Sequence, residues 1–283
     1  MKKDTERRYR YIEVAPIAGA LGAEIAGVDL SQPLPDEVLA EIRQAWLDHL
    51  VIFFRGQKLT PAQQLAFSRR FGEPMEYPHL KGLAEFPLIT PVVKLENERV
   101  NFGGIWHSDT SYLERPPMAS MLYAIEIPPY GGDTLFANQY LAYEALSGEL
   151  RKRLDTLIGI NSSLKADASR TREDRLRAAG VESKVLIGEH PVVRTHPETG
   201  RRALYVNVGH TTHFKGMTEE ESRPLLGFLF RHQIQPEFTC RFRWEAGSLA
   251  FWDNRCAQHN AVNDYQGFRR VMHRVTLAGE RPR

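Results

Sequence analysis

Apolar and polar positions along the opening third of the chain alternate between two periods. Residues 12–16 and 23–25 read as short strands around the turn-forming Gly19 and Gly22. Segment 36–48, DEVLAEIRQAWLD, places its apolar side chains at helical spacing behind Pro33 and Pro35, which predicts an amphipathic helix. The unbroken apolar run VIFF at 51–54 predicts a buried strand that stops at Arg55 and Gly56. Thr60 followed by Pro61 supplies a cap and a first helical residue for a second helix reaching Phe71.

Past Trp106 the texture changes. Short apolar runs at 118–125, 134–136, 192–194, 203–206, 239–244, 248–252 and 270–277 are punctuated by Gly, Pro and Asn. Strands this brief and this regularly broken predict a β-sandwich, jelly roll or barrel. Helices are expected near 141–157 and 218–232, and THPETGRR at 195–202 reads as a hairpin tip. Segment 163–184 is highly charged with little periodicity, so it is either a solvated surface segment or a lid over a site. The fold class is therefore mainly β with flanking helices. No repeat or linker divides residues 1–283, which read as one domain.

Composition narrows the function. With 42% hydrophobic and 25% charged residues the 283-residue chain can bury a sizeable core, which excludes a disordered or collagen-like protein. The 37 basic and 35 acidic side chains nearly cancel. No broad polycation is offered to nucleic acid or to a membrane, which favours a small-molecule partner. The two cysteines, Cys240 and Cys256, build no disulfide framework, the charged N-terminus lacks an apolar run behind it, and no apolar run could span a bilayer. The expectation is a cytoplasmic protein.

The first candidate chemistry is His107-Ser108-Asp109. On a strand, residues two apart share a face, so an imidazole and a carboxylate would meet. Alone, such a pair is more often a surface histidine beside a turn aspartate. His259, after WDNRCAQ, would complete two histidines and one carboxylate, a facial triad that leaves open positions on iron(II) for a bidentate co-substrate and dioxygen. Arg270 and Arg274 are four apart and would share one face of the last strand. Two cations turned into a barrel are costly unless anions visit them; the alternative is that both reach the rim.

With these residues in place, the chain resembles the taurine dioxygenase family of iron(II)- and 2-oxoglutarate-dependent dioxygenases, which also contains the aryloxyalkanoate dioxygenases and alkylsulfatases. The likeness runs through GALGAEIAGVDLSQPL, VIFFRGQKLTPAQQLAFSRRFG, WHSDTSY, PPYGGDTLFANQYLAYEALS, HPVVRTHPETGRRALYVN, WDNRCAQHNAVNDY and RRVMHRVTLAG, in that order. It implies a double-stranded β-helix (jelly roll) core. It implies that His107, Asp109 and His259 bind Fe(II), that Arg270 and Thr134 hold the far carboxylate of 2-oxoglutarate, and that Arg274 reads the anionic group of the primary substrate. Asp253 and Asn254 are assigned to strand-end structure. The reaction implied consumes dioxygen, releases succinate and CO2, and hydroxylates a small organic anion. Related iron halogenases replace the ligand carboxylate with a small residue; Asp109 points to hydroxylation instead. Relatives of this kind are dimers or tetramers, so a homo-oligomer is expected.

Substrate identity is less legible. Taurine-specific members place a histidine three residues before the tyrosine matched by Tyr77, and an asparagine four before the first histidine ligand. Here those positions hold Pro74 and Gly103. The loss of both polar partners argues for a bulkier, more apolar anion than taurine, such as an aryloxyalkanoate or alkyl sulfate. Tyr77, His79, Tyr112 and Phe214 are the candidate walls. His210 and His213 are read as belonging to a loop near the cavity mouth rather than to a second metal. Two alternatives stay open: a taurine or alkanesulfonate enzyme with a rearranged substrate loop, and a non-catalytic 2-oxoglutarate-binding sensor.

Overall fold

The computed structural model describes residues 9–78, 80–165 and 185–283. The expected lid at 163–184, from 166 onward, and His79 lie outside the described residues.

Two layers of strand enclose the centre of the molecule. The larger sheet begins with β1 (Glu13–Pro16), β2 (Ala23–Ala26), β3 (Val51–Phe54), β4 (Pro74–Met75) and β5 (Ile89–Lys94). It is completed by β6 (Ala119–Glu126) and by two strands from the end of the chain, Leu249–Asp253 and Arg270–Leu277. The opposing sheet sets β7 (Thr134–Asn138) between two late strands, Thr239–Phe242 and Ala257–Ala261. Between these come β8 (Ile158–Ser162), β9 (Ile187–Pro191), the hairpin β10 (Val193–Thr195) and β11 (Arg202–Leu204), and β12 (Thr211–Phe214). The four late strands are therefore β13 (Thr239–Phe242), β14 (Leu249–Asp253), β15 (Ala257–Ala261) and β16 (Arg270–Leu277). The larger sheet runs β1-β2-β3-β14-β6-β16-β4, with β5 on the free side of β16. Only the β2–β3 pairing among these is parallel. This is the expected jelly-roll core: the strands predicted from apolar runs have ends displaced by at most two residues, whereas β4, β5, β8, β9, β12 and β15 fall outside those runs.

Alternation along each strand explains why the central strands are apolar throughout. In β3, Ile52 and Phe54 turn toward a helical layer while Val51 and Phe53 turn inward. In β14, Leu249 and Phe251 go with the helices, and Ala250 and Trp252 with the interior. The helical layer is α1 (Asp36–His49) and α2 (Pro61–Ser68), and Trp46 of α1 stacks on Phe251 at 4.4 Å. Between the sheets, Phe53 stacks on Phe242 at 3.8 Å and meets Phe136 edge-on. Each such buried ring contributes roughly 1.5–3 kcal/mol, so this aromatic filling forms a stiff floor beneath the open end of the roll.

Helix ends follow local chemistry. Thr60 and Gln63 form a reciprocal capping box on α2, with Pro61 at the first position as predicted. The single helix expected near 141–157 is instead two, α3 (Gln139–Glu144) and α4 (Gly148–Leu154). Ser147 accepts from the Leu150 amide and starts a new helix, because a serine hydroxyl competes with the backbone ladder. Downstream, α5 (Glu219–His232) carries a second capping box, Thr218 with Glu221. No helix among the described residues is long and apolar enough to cross a membrane.

Candidate active site

The HxD motif is not on a strand. His107 makes one isolated antiparallel bridge and Asp109 already lies in a turn, so the shared-face argument does not explain their meeting. What joins the motif to its distant partner is backbone pairing. The His107 amide donates to the His259 carbonyl at 3.0 Å and the His259 amide returns to His107 at 2.9 Å. A pair opposed in this way directs both side chains to one side, and the two imidazoles lie 4.2 Å apart. Thr110 then takes a left-handed φ of 40°, which turns the chain sharply after Asp109. For a β-branched residue that conformation is strained, and strain of this sort is found where surrounding structure over-determines a site.

The three side chains converge on one atom. Asp109 Oδ1 lies 3.6 Å from His107 Nε2 and 3.7 Å from His259 Nε2. It is fully buried and has no hydrogen-bond partner among the described residues. The other carboxylate oxygen, Oδ2, is occupied by Arg274 and by the Ser120 hydroxyl at 2.7 Å. Asn254 accepts from the Asp109 amide and from Trp252 Nε1, and donates to Ser120. The carboxylate is thus held rigidly by one edge with the other edge exposed to the imidazoles.

Protonation states follow from these contacts. Burial opposes the charge on Asp109, but the Arg274 guanidinium outweighs it and holds the carboxyl well below the ordinary range. Burial, together with the field of His107, keeps the His259 imidazole neutral. His107 Nδ1 donates to the Ile105 carbonyl at 2.6 Å, so Nε2 is the ring nitrogen turned toward Asp109. A carboxylate beside two imidazole Nε2 atoms forms a donor set suited to a divalent transition metal such as iron(II).

Beside this cluster is a cavity walled by Val92, Phe102, Leu122, Trp244 and Trp252, with Thr134, Arg270 and Arg274 among its polar members. Arg270 is buried, and its Nε and Nη2 have no hydrogen-bond partner among the described residues. Thr134 Oγ1 accepts from Trp244 Nε1 at 2.9 Å, so its own proton is available to an acceptor in the cavity. A buried guanidinium and a hydroxyl facing a cavity without an acceptor fit a carboxylate ligand, which arginine binds bidentately. Both arginines are therefore buried, and neither reaches the rim.

The remaining candidates are distributed unevenly. Tyr77 is buried under Arg274, whose guanidinium carbon is 4.5 Å from the ring centre, and it meets Phe102 edge-on. Tyr112 is buried edge-on to His210, which in turn sits edge-on to His107, so His210 lies beside the site, whereas His213 is on strand β12 and not in a loop. Phe214 is no wall: it is fully buried in the core behind α5, because β12 turns it away from the cavity. Gly103 does line the cavity, and a side chain built there would begin 3.3 Å from the His107 ring. Ser120, Trp244 and Tyr265 were not singled out in the sequence. A polar Ser120 within the apolar run of β6 was the available signal.

A second buried cluster, His196, Asp253 and Cys256, has its donor atoms within 4.8 Å of one another. Its carboxylate is already committed. Arg255 grips Asp253 through Nε and Nη2 at 2.8 and 2.7 Å, and His196 adds a bond at 3.0 Å. Arg255 also reaches Glu198, so the knot fastens the β10–β11 hairpin to the end of β14. Asp253 is strand-end structure as expected, whereas Asn254 additionally braces the Asp109 turn.

The profile of the family described as "Taurine catabolism dioxygenase TauD, TfdA family" matches residues 13–276. An alpha-ketoglutarate-dependent sulfate ester dioxygenase of Pseudomonas putida is 40% identical over 279 residues, covering 96% of this chain and 91% of its own. The alpha-ketoglutarate-dependent 2,4-dichlorophenoxyacetate dioxygenase of Cupriavidus pinatubonensis is 33% identical, covering 92% and 96%. Among solved structures, a taurine dioxygenase from Burkholderia xenovorans is 40% identical with a TM-score of 0.83, covering 96% of this chain and 91% of its own. AAD-2 in complex with Mn(II) and N-oxalylglycine is 26% identical with a TM-score of 0.80, covering 96% and 99%.

Proposed function

The chain belongs to the TauD, TfdA family of 2-oxoglutarate-dependent dioxygenases, and from that footing we propose that it oxidises an alkyl sulfate ester at the carbon bearing the sulfate. The observation that carries the reading is a pair of unsatisfied buried groups: Asp109 Oδ1, facing two imidazoles that line the cavity, and the Arg270 guanidinium, which lines the same cavity. His107, Asp109 and His259 would hold iron(II), while Arg270 and Thr134 would hold the far carboxylate of 2-oxoglutarate. When bound, iron(II) with 2-oxoglutarate and dioxygen supplies an oxidant able to hydroxylate an unactivated C–H bond, with succinate and CO2 as by-products.

The chain's own residues do the rest. Ser120 and Asn254 orient Asp109 so that only Oδ1 faces the imidazoles. Trp244, Trp252 and Phe102 exclude water from the cavity. Arg274 would orient the substrate's anionic group. A hydroxyl group placed on the sulfate-bearing carbon makes an unstable adduct, which collapses to an aldehyde and sulfate. Gly103 leaves that part of the wall without a polar partner for a taurine amine, Pro74 on β4 supplies none for a sulfonate, and Val92, Leu122 and Phe102 suit an alkyl body. The similarity to the sulfate ester dioxygenase and to an Acinetobacter baylyi alkylsulfatase at 36% identity supports the same substrate class.

The test is succinate release by anaerobically iron(II)-loaded protein across alkyl sulfates, aryloxyalkanoates, longer alkanesulfonates and taurine. Stimulation is expected to be greatest with alkyl sulfates and weakest with taurine. Taurine as the best substrate would reinstate a rearranged sulfonate site, and 2-oxoglutarate binding without stimulation by any of them would favour a sensor. A second expectation concerns Arg274→Ala. Because Arg274 also grips Asp109, the variant should raise the KM of the anionic substrate by roughly thirtyfold or more and weaken iron retention as well. Unchanged substrate KM would move the anion site elsewhere.

We read residues 1–283 as one catalytic domain, supported by a family match that spans 13–276. The buried, unpaired Cys240 and Cys256 support a cytoplasmic setting. We also read the protein as a homo-oligomer, as the family resemblance implies.

A further inference from the structure

Strand register places a second cation beside Arg270. In the antiparallel β5–β16 pair, Lys94 stands opposite Arg270, Val92 opposite Met272 and Thr90 opposite Arg274. Directly opposed residues point to the same side of a sheet, and residues two apart on one strand do so too. Val92 lines the cavity, so Lys94 is directed to the inner face beside Arg270. Its side chain is 3% exposed, and Nζ has no hydrogen-bond partner among the described residues. The ammonium lies 4.5 Å from the centre of the Tyr265 ring, and the Tyr265 phenol interacts with Arg270.

Two like charges opposed on neighbouring strands repel, and burial deprives both of water. A cation–π contact offsets part of that for Lys94. Asp133, whose charge acts on Arg270, is bound by Arg241 at 2.5 Å, and Glu126 faces Arg269. A lysine serving only to fill this position would be better replaced by methionine. The arrangement is intelligible if an anion arrives between the two cations.

We propose that Lys94 is a second cation for the far carboxylate of the 2-oxo acid co-substrate, and that with Arg270 it selects dicarboxylic 2-oxo acids over monocarboxylic ones. This rests on the reading that Arg270 and Thr134 hold that carboxylate. Arginine engages both oxygens in its plane, and an ammonium adds a third donor from the side. An acid without the far charge leaves two buried cations unpaired instead of one, which sharpens the discrimination.

The experiment is calorimetric binding of 2-oxoglutarate and of 2-oxopentanoate, which has a methyl group in place of the far carboxylate, to zinc(II)-loaded protein. In Lys94→Met the affinity for 2-oxoglutarate should fall by roughly thirtyfold or more, with 2-oxopentanoate affinity unchanged, so that the preference collapses. Lys94→Arg should retain most of it. The melting temperature of metal-free Lys94→Met should be no lower than that of the parent, since a buried unpaired charge has been removed. Parental affinity for 2-oxoglutarate in Lys94→Met overturns the assignment. So does an equal loss for both acids accompanied by a lower melting temperature, which marks a structural lysine. Arg270→Ala separates the two levels of the argument. If it too leaves the preference intact, the carboxylate pocket lies elsewhere; if it abolishes the preference while Lys94→Met does not, only the role of Lys94 falls.

Discussion

Asp109→Ala should reduce substrate-stimulated succinate release by roughly three orders of magnitude or more, since it removes one of the three donors proposed to hold the metal and the chemistry that depends on them. The carboxylate has two roles in the structure. Oδ1 faces His107 and His259, and Oδ2 neutralises Arg274. Alanine therefore also leaves a buried guanidinium without its counter-ion, a change worth about 3–5 kcal/mol of stability. Circular dichroism and melting of the metal-free variant separate the two effects. Asp109→Asn helps further, because its amide oxygen can still accept from Ser120 while the charge is gone. Either variant, if folded and still turning over at the parental rate, would remove Asp109 from the metal-binding set.

Arg270→Ala should raise the half-saturating concentration of 2-oxoglutarate by roughly thirtyfold to a thousandfold, as expected when one partner of a desolvated ion pair is truncated. The effect should fall on KM rather than on kcat at saturation, because the far carboxylate takes no part in the oxidation. Arg270→Lys should recover little, since a single ammonium cannot make the paired, in-plane bonds of a guanidinium. The fold should tolerate the change. In the structure the guanidinium already lacks partners on Nε and Nη2, so alanine removes a buried charge at the cost of its interaction with the Tyr265 phenol. An unaltered 2-oxoglutarate requirement would assign the co-substrate carboxylate to another part of the cavity.

The substrate question depends on smaller features. Gly103 leaves bare the wall beside His107, and Tyr77 lies against Arg274. A panel that varies alkyl length at constant anion would read the apolar wall, and one that varies the anion at constant length would read Arg274.

Much of this protein was legible from local pattern. Strand positions follow from short apolar runs between turn residues, and α2 and α5 begin where a threonine and a residue three later cap one another. His107, Asp109, His259, Thr134, Arg270 and Arg274 stand out because their types and spacing carry chemistry independent of context. Other features depended on contacts between distant parts of the chain. The histidines meet through a backbone bridge that joins position 107 to 259, not through strand alternation. Asp109 acquires its orientation from Ser120 on β6 and Asn254 after β14. Phe214 went to the core, and Ser147 divided a helix whose periodicity had read as continuous. Lys94 looks like an ordinary strand-end lysine until the β5–β16 register sets it against Arg270. Periodicity and residue chemistry are properties of a few neighbouring residues, so the chain alone determined the elements and the reactive groups. Which buried polar atoms remain without a partner depends on every strand packed around them, and only the tertiary structure decided that.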